Sequence, residues 1–435
     1  MSAAAAVAPA PVSMAGPSPR ADASPGARWP RALYVHVPFC LSACPYCDFV
    51  VYAGSAARGP RSLLPALAEA LLAELELRAD ELERTVERPT GAALETVYLG
   101  GGTPSLLAPR QLGRLLEAID RRLGIAAGAE ITLEANPGPA DRGDPAAFAA
   151  AGVTRLSIGA QSFVPVELRR LGRRHGPADV ATTVALARSA GMGSVGLDLL
   201  YDVPGQTLAS WWATLEAALA LAPDHVSAYA LTIDDPDVEG LTGPTGDHLP
   251  ARPGARQWRE RARAEQDDDR AAGLYLEATE LLEAAGFAWY EISNWARPGH
   301  RCRHNLVYWR RQAYLALGPG AHGFDGARRR WWNAARLEPY LAALLPDPGG
   351  SPRLPPGGEE RLDEGAALAE EVILALRLSD GLDEERLERL AAMPQLSEAL
   401  ARARAADLLE RNGTGRIVLT RRGRLLAGEL FAHLV

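Results

Sequence analysis

The stretch LYVHVPFCLSACPYC, residues 33–47, runs from a β-rich segment straight into a loop holding Cys40, Cys44 and Cys47. The remaining 388 residues after Cys47 hold one more cysteine, Cys302. Four cysteines with three clustered are not a disulfide framework. They point to a reducing compartment, here the cytoplasm, and to a metal-binding or redox loop.

Similar β-rich runs recur downstream: ETVYL (95–99), EITLEA (130–135), RLSIGA (155–160), SVGLDLL (194–200) and HVSAYALT (225–232). Helical patterns lie between them. In the first, Leu63, Leu67, Leu71, Leu75 and Leu82 fall near one face. Strand and helix alternate six times, which implies parallel strands with helical crossovers. The fold class is therefore α/β, a partial (β/α)6 TIM-like barrel over residues 31–233.

Around this core the composition changes. Residues 1–28 are an Ala/Pro/Ser-rich stretch read as a disordered tail. Residues 234–273 are rich in Pro, Gly, Asp and Arg and read as an exposed insertion of low order. A small α+β region, 274–345, contains the dense stretch WYEISNWARPGHRCRHNLVYW (289–309) and is expected to pack on the barrel. A polar linker spans about 345–360. The tail, 361–435, reads as three helices, the strand RIVLT and a last helix capped by Thr420, a winged-helix-like domain.

The 435 residues carry a net charge of −8, with 47% hydrophobic and 23% charged residues. That balance describes a globular chain and argues against a general binder of nucleic acid or anionic membranes. No apolar run reaches the length of a membrane span, so stable membrane insertion is not expected.

A loop after the first strand of such a barrel lies at the carboxyl-terminal face, where these folds do chemistry. Spacings of three and two residues let one loop aim three thiolates at one centre. Thiolates suit zinc or an iron–sulfur cluster. Structural zinc wants four ligands, and no fourth is evident. A cubane bound by three thiolates keeps one iron open to a small molecule. Zinc and incidental thiols remain the alternatives on spacing alone.

CLSACPYC resembles the C-x3-C-x2-C signature of radical S-adenosylmethionine enzymes. The resemblance implies a [4Fe-4S] cluster on Cys40, Cys44 and Cys47 whose open iron chelates S-adenosylmethionine. In that family an electron from the cluster cleaves the sulfonium to methionine and a 5′-deoxyadenosyl radical. An electron donor such as a flavodoxin or ferredoxin is implied as a partner. The cofactor-binding positions that line up are Tyr34, Tyr46, Gly101, Gly102, Thr103, Glu134, Gln161, Arg173 and Asp198. Relatives often read N-x-D-L-x-x-G-L-P-G-Q, whereas this chain has Gly196 and Asp202 at the Asn and the first Gly.

From residue 31 onward, the 234–273 insertion aside, the chain is similar to the oxygen-independent coproporphyrinogen III oxidase-like family. Within it the resemblance is to the HemW-type haem chaperones rather than the oxidase. The oxidase carries a further cysteine where Phe49 stands here. The chaperone motif H-N-x-x-Y-W is intact as His304, Asn305, Tyr308 and Trp309. By this resemblance the chain binds haem and passes it to a haem-accepting apoprotein. His304 is the expected axial ligand, and Arg301, Arg303, Arg310 and Arg311 are expected partners of the propionates. The alternative is radical decarboxylation of coproporphyrinogen III. Whether S-adenosylmethionine cleavage persists as an enzymatic activity is left open by the sequence. Cys302 and His322 are weaker candidates as ligands.

Overall fold

In a computed structural model, the protein is described over residues 26–434 apart from Pro60 and Ala392. The expected tail thus lies mostly outside the described residues. Six parallel strands form the centre: β1 (Ala32–Val37), β2 (Leu94–Gly101), β3 (Ile125–Ala135), β4 (Arg155–Gln161), β5 (Ser194–Tyr201) and β6 (His225–Ala230). They are hydrogen-bonded in chain order. The six strand–helix repeats expected from the sequence are present, and the sheet stays open rather than closing into a barrel.

The sheet is wider than those repeats. Beyond β6 come β7 (Ala288–Glu291) and β8 (Asn294–Ala296), with β8 antiparallel to β6. On the other side β9 (Tyr314–Leu317) runs parallel to β1. Then β10 (His322–Phe324), β11 (Arg329–Asn333) and β12 (Gly357–Arg361) follow antiparallel. Strand β12 begins inside the stretch expected to be a polar linker. Its Gly-Gly-Glu-Glu-Arg sequence carries no apolar alternation, so pairing with β11 alone defines it.

The two faces of the central strands differ in chemistry. Val97, Leu99, Leu133, Leu156, Ile158, Leu197, Leu199, Val226 and Ala228 belong to one apolar core with the covering helices. The alternate positions, among them Tyr98, Glu134, Arg155, Ser157, Asp198, His225 and Ser227, line a cavity. The period-two alternation of a strand thus separates a packed outer face from a polar inner one.

The first helix, Leu64–Thr85, buries Leu67, Leu71 and Leu75 completely at four-residue spacing. Leu63 stands outside it at the N-cap and is exposed, a departure from the expected stripe. The 234–273 insertion departs from its expected low order. Pro253–Glu265 is a helix, and its Arg259, 6% exposed, donates to the carbonyls of Pro45 (3.2 Å), Cys47 (2.9 Å) and Asp234 (2.7 Å). The helix is mostly polar, and the Pro45 and Cys47 carbonyls lie more than 200 residues away, so composition carries no trace of the anchor.

At the C-terminal end a separate apolar cluster joins Val372, Leu376, Leu382, Leu400, Leu409, Ile417, Leu419 and Leu430. Three helices precede a hairpin of Leu409–Arg411 with Ile417–Leu419. The Thr420 hydroxyl caps the next helix by accepting from Gly423 N–H at 2.9 Å. The expectation contained only the second strand of that hairpin.

Candidate functional site

The three clustered thiols line a cavity of about 470 Å3 together with Tyr46, Gly101, Gly102, Glu134, Gln161, Arg173 and Asp198. Strand ends, the cysteine loop and the turn after the helix Pro165–Arg170 therefore bring together seven of the nine positions expected to hold S-adenosylmethionine. Tyr34 and Thr103 stand behind this wall. Tyr34 bonds His36 Nδ1 through its hydroxyl (3.0 Å) and stacks on Tyr98. Thr103, 1% exposed, donates from Oγ1 to Cys40 Sγ at 3.2 Å.

Asn136, which the sequence reading passed over, links two of these groups. Its amide donates to Thr103 Oγ1 at 2.9 Å, and its Oδ1 accepts from Arg173. Arg173 also donates to Gly159 O (2.8 Å) and to Cys44 Sγ (3.5 Å). One guanidinium thus reaches Cys44 directly and Cys40 through Asn136 and Thr103. The segment L-E-A-N-P at the end of β3 held the signal, an amide two residues beyond the rim carboxylate.

Glu134 accepts from Tyr98 Oη (2.7 Å) and from Gly101 N–H (3.0 Å). Burial, with the nearby Asp198 carboxylate adding to it, pushes its pKa up to about 7. Asp198 accepts from Ser157 Oγ at 3.1 Å and is likewise raised by burial. The glycines between strand and loop have a packing reason as well. Gly101 has φ +102°, and a Cβ there would meet the His36 ring at 2.3 Å. A Cβ on Gly102 would meet the Phe39 and Val37 backbone at 2.8 Å. Only glycine lets this turn lie flat against the start of the cysteine loop.

Two of the thiols, Cys40 and Cys47, are held protonated. Burial first, then the neighbouring thiol groups, pushes Cys40 up to about 11 and Cys47 higher still. Among the described residues no three Cys, His or acidic side chains gather around a point as a single metal ion requires. A cubane spreads its ligands over separate irons, so three thiols spaced around one polar cavity are a donor set that fits it.

The H-N-x-x-Y-W motif forms the helix Arg303–Trp309. His304 is 1% exposed, with Nδ1 on Thr96 Oγ1 and Nε2 on Tyr308 Oη, both at 2.8 Å. Burial drops its pKa to about 3. Both ring nitrogens are hydrogen-bonded here, so His304 would serve as the expected haem ligand only by giving up one of these partners. Trp309 packs under the Arg377 guanidinium at 4.4 Å rather than on an open face. The expected propionate partners are also occupied. Arg301 and Arg310 pair with Asp380, Arg311 with Glu370, and Arg303 donates to Gly128 O. These contacts fasten the motif helix to its neighbours. Of the motif, Asn305 lines the cavity, beside the buried thiol of Cys302. His322 pairs with Asp247 at 2.8 Å, away from the cavity lining.

Residues 34–218 match the Radical SAM superfamily. The chain is 41% identical to "Heme chaperone HemW" of Mycobacterium tuberculosis over 429 residues, covering 98% of each chain. It is 37% identical to "Heme chaperone HemW" of Escherichia coli over 294 residues, 68% of this chain and 70% of that one. Among solved structures, coproporphyrinogen III oxidase (HemN) from Escherichia coli shares the fold, with a TM-score of 0.73 at 22% identity over 93% of this chain and 90% of the other. No helix among the described residues is long and apolar enough to cross a membrane. At this identity and coverage the chain belongs to the HemW haem chaperone family, a branch of the radical SAM proteins.

Proposed function

We propose that this protein carries haem to an acceptor apoprotein on a scaffold that holds a [4Fe-4S] cluster and S-adenosylmethionine. The observation that carries the reading is the single cavity onto which Cys40, Cys44 and Cys47 open together with Glu134, Gln161, Arg173 and Asp198. The names of the full-length relatives supply the haem-carrying role.

The three thiols would hold the cluster, which when bound supplies an electron to the sulfonium. The chain's own residues do the rest. Arg173 donates to Cys44, and Thr103 donates to Cys40. Glu134 accepts hydrogen bonds from an ammonium or ribose hydroxyls. Gly101 and Gly102 let backbone approach the ligand, while Gln161 and Asp198 orient its polar edge. Tyr46, packed near Trp258, closes one side. Asn305 and Cys302, which line the same cavity, are the residues that haem would meet there. A flavodoxin or ferredoxin is the class of electron donor that fits a low-potential cluster.

Anaerobic reconstitution followed by haem titration tests this. Iron and sulfide in cubane proportion, with a saturable Soret band and transfer to a haem-requiring apoprotein, are expected. Propionate-to-vinyl conversion of coproporphyrinogen III, with no haem binding, would favour the oxidase instead.

A further inference from the structure

The cavity runs deeper than the cofactor rim. Strand β4 carries Gln161 at its rim end and Arg155 at its start, seven residues in all, which spans roughly 20 Å. Both line the cavity, and so does His225 at the start of β6. The floor therefore belongs to a different part of the cavity from the thiols.

His225 is 2% exposed, and its Nδ1 has no hydrogen-bond partner. Its Nε2 lies 2.8 Å from Tyr290 Oη. That hydroxyl accepts from Cys302 N–H (3.3 Å), and among the contacts of the described residues its own hydrogen has no acceptor but His225 Nε2, so it donates there. The imidazole is then the tautomer with hydrogen on Nδ1, a buried donor aimed at the cavity without an acceptor. Such a group is expensive to leave unmatched.

Two polar neighbours with partners of their own stand beside it. Arg155 is 3% exposed, with Nη1 on Ser194 Oγ and His300 O, both at 3.0 Å. Glu130 lies 4.0 Å from it, but that carboxylate also takes Arg303 N–H, His304 N–H and the Cys302 thiol. The second is Ser157, beside Asp198. All three surround Gly196. A Cβ there would lie 3.5 Å from His225 Nδ1, 3.6 Å from Ser157 Oγ and 3.7 Å from Arg155 Nη2. These are ordinary van der Waals contacts, so a methyl would fit there, and without a side chain on Gly196 this strand sets nothing over the His225 and Arg155 nitrogens that line the cavity.

We infer that Arg155 and His225, exposed to the cavity by Gly196, form a carboxylate subsite at its floor that receives a propionate arm of the bound porphyrin. This rests on the haem-carrier reading and adds where the acid end is held. A guanidinium and an imidazole N–H together suit a carboxylate, and the buried setting makes each bond count for more than at the surface.

The test uses the full, anaerobically reconstituted protein, titrated with haem and with haem dimethyl ester. The wild type is expected to prefer the free acid by about tenfold or more. Gly196→Asp supplies an internal carboxylate to the same donors and should bring the preference below about twofold by weakening the free acid alone. Gly196→Ala adds only a methyl that fits, and should keep the preference, which separates occupancy of the subsite from damage to the strand. Binding of both haems with equal affinity by the wild type, or an unchanged preference in Gly196→Asp, overturns the subsite while leaving the carrier reading intact. If neither haem binds the wild type, the carrier reading falls and the subsite with it.

Discussion

His304 and Tyr308 lie one turn apart on the same helix, with Nε2 and Oη 2.8 Å from each other and the rings edge to face at 5.0 Å. With Thr96 on the other nitrogen, the histidine ties the motif helix to β2. The most distinctive residue of the motif is thus a structural link in this state.

Tyr308→Phe should leave a buried ring nitrogen unpaired and cost about 1–3 kcal/mol. His304→Ala opens a void beside Tyr98 and Tyr308 and should cost about 2–5 kcal/mol. Urea denaturation of the reconstituted protein, followed in parallel with haem titration, separates stability from binding. Lost haem affinity in a fully folded His304→Ala protein would support the ligand role.

Four buried histidines, His36, His175, His225 and His304, should make the protein sensitive to acid, and burial holds His225 well below its ordinary range. Burial lowers His36 and His175 to about 4 and His304 to about 3. The unfolded chain takes up these protons near pH 6.5, so the stabilisation is complete above that pH and is lost as pH falls from there towards 4. The loss is roughly 1–2 kcal/mol per histidine by pH 5.5. Glu134, raised to about 7, opposes it, because protonation on the way down relieves a buried charge. Denaturation midpoints of cluster-free protein should therefore fall between pH 7 and 5, and more steeply in Glu134→Gln.

Arg259 should matter to the cluster although it lies outside the cavity. Arg259→Ala frees the carbonyls of Pro45 and Cys47, both within the cysteine loop. Expected results are about 2–4 kcal/mol lower stability and faster loss of the cluster absorbance in air. Equal bleaching rates in the two proteins would show that the loop is held by its other contacts.

Cluster assembly should release protons. Cys40 at about 11 and Cys47 above it must both lose hydrogen to bind iron. Bound iron and sulfide after a fixed reconstitution time should rise between pH 7 and 9. Serine at Cys40, Cys44 or Cys47 should remove most of the cluster, whereas Cys302→Ser, whose sulfur faces Glu130, should retain it.

The order of strands and helices, the three-thiol loop and the rim positions Gly101, Glu134, Gln161 and Asp198 could all be read from the sequence. Those features are local. A period-two alternation sets the faces of a strand, and a motif places its residues at a strand end. The tertiary structure alone decided which polar groups are free. Whether His304 or His225 has an open nitrogen depends on Thr96, Tyr308, Tyr290 and Gly196, which other segments deliver. The same holds for Arg259, two of whose three acceptors lie more than 200 residues away. A hydrogen bond needs both partners within about 3 Å, and only the folded chain fixes which pairs come that close.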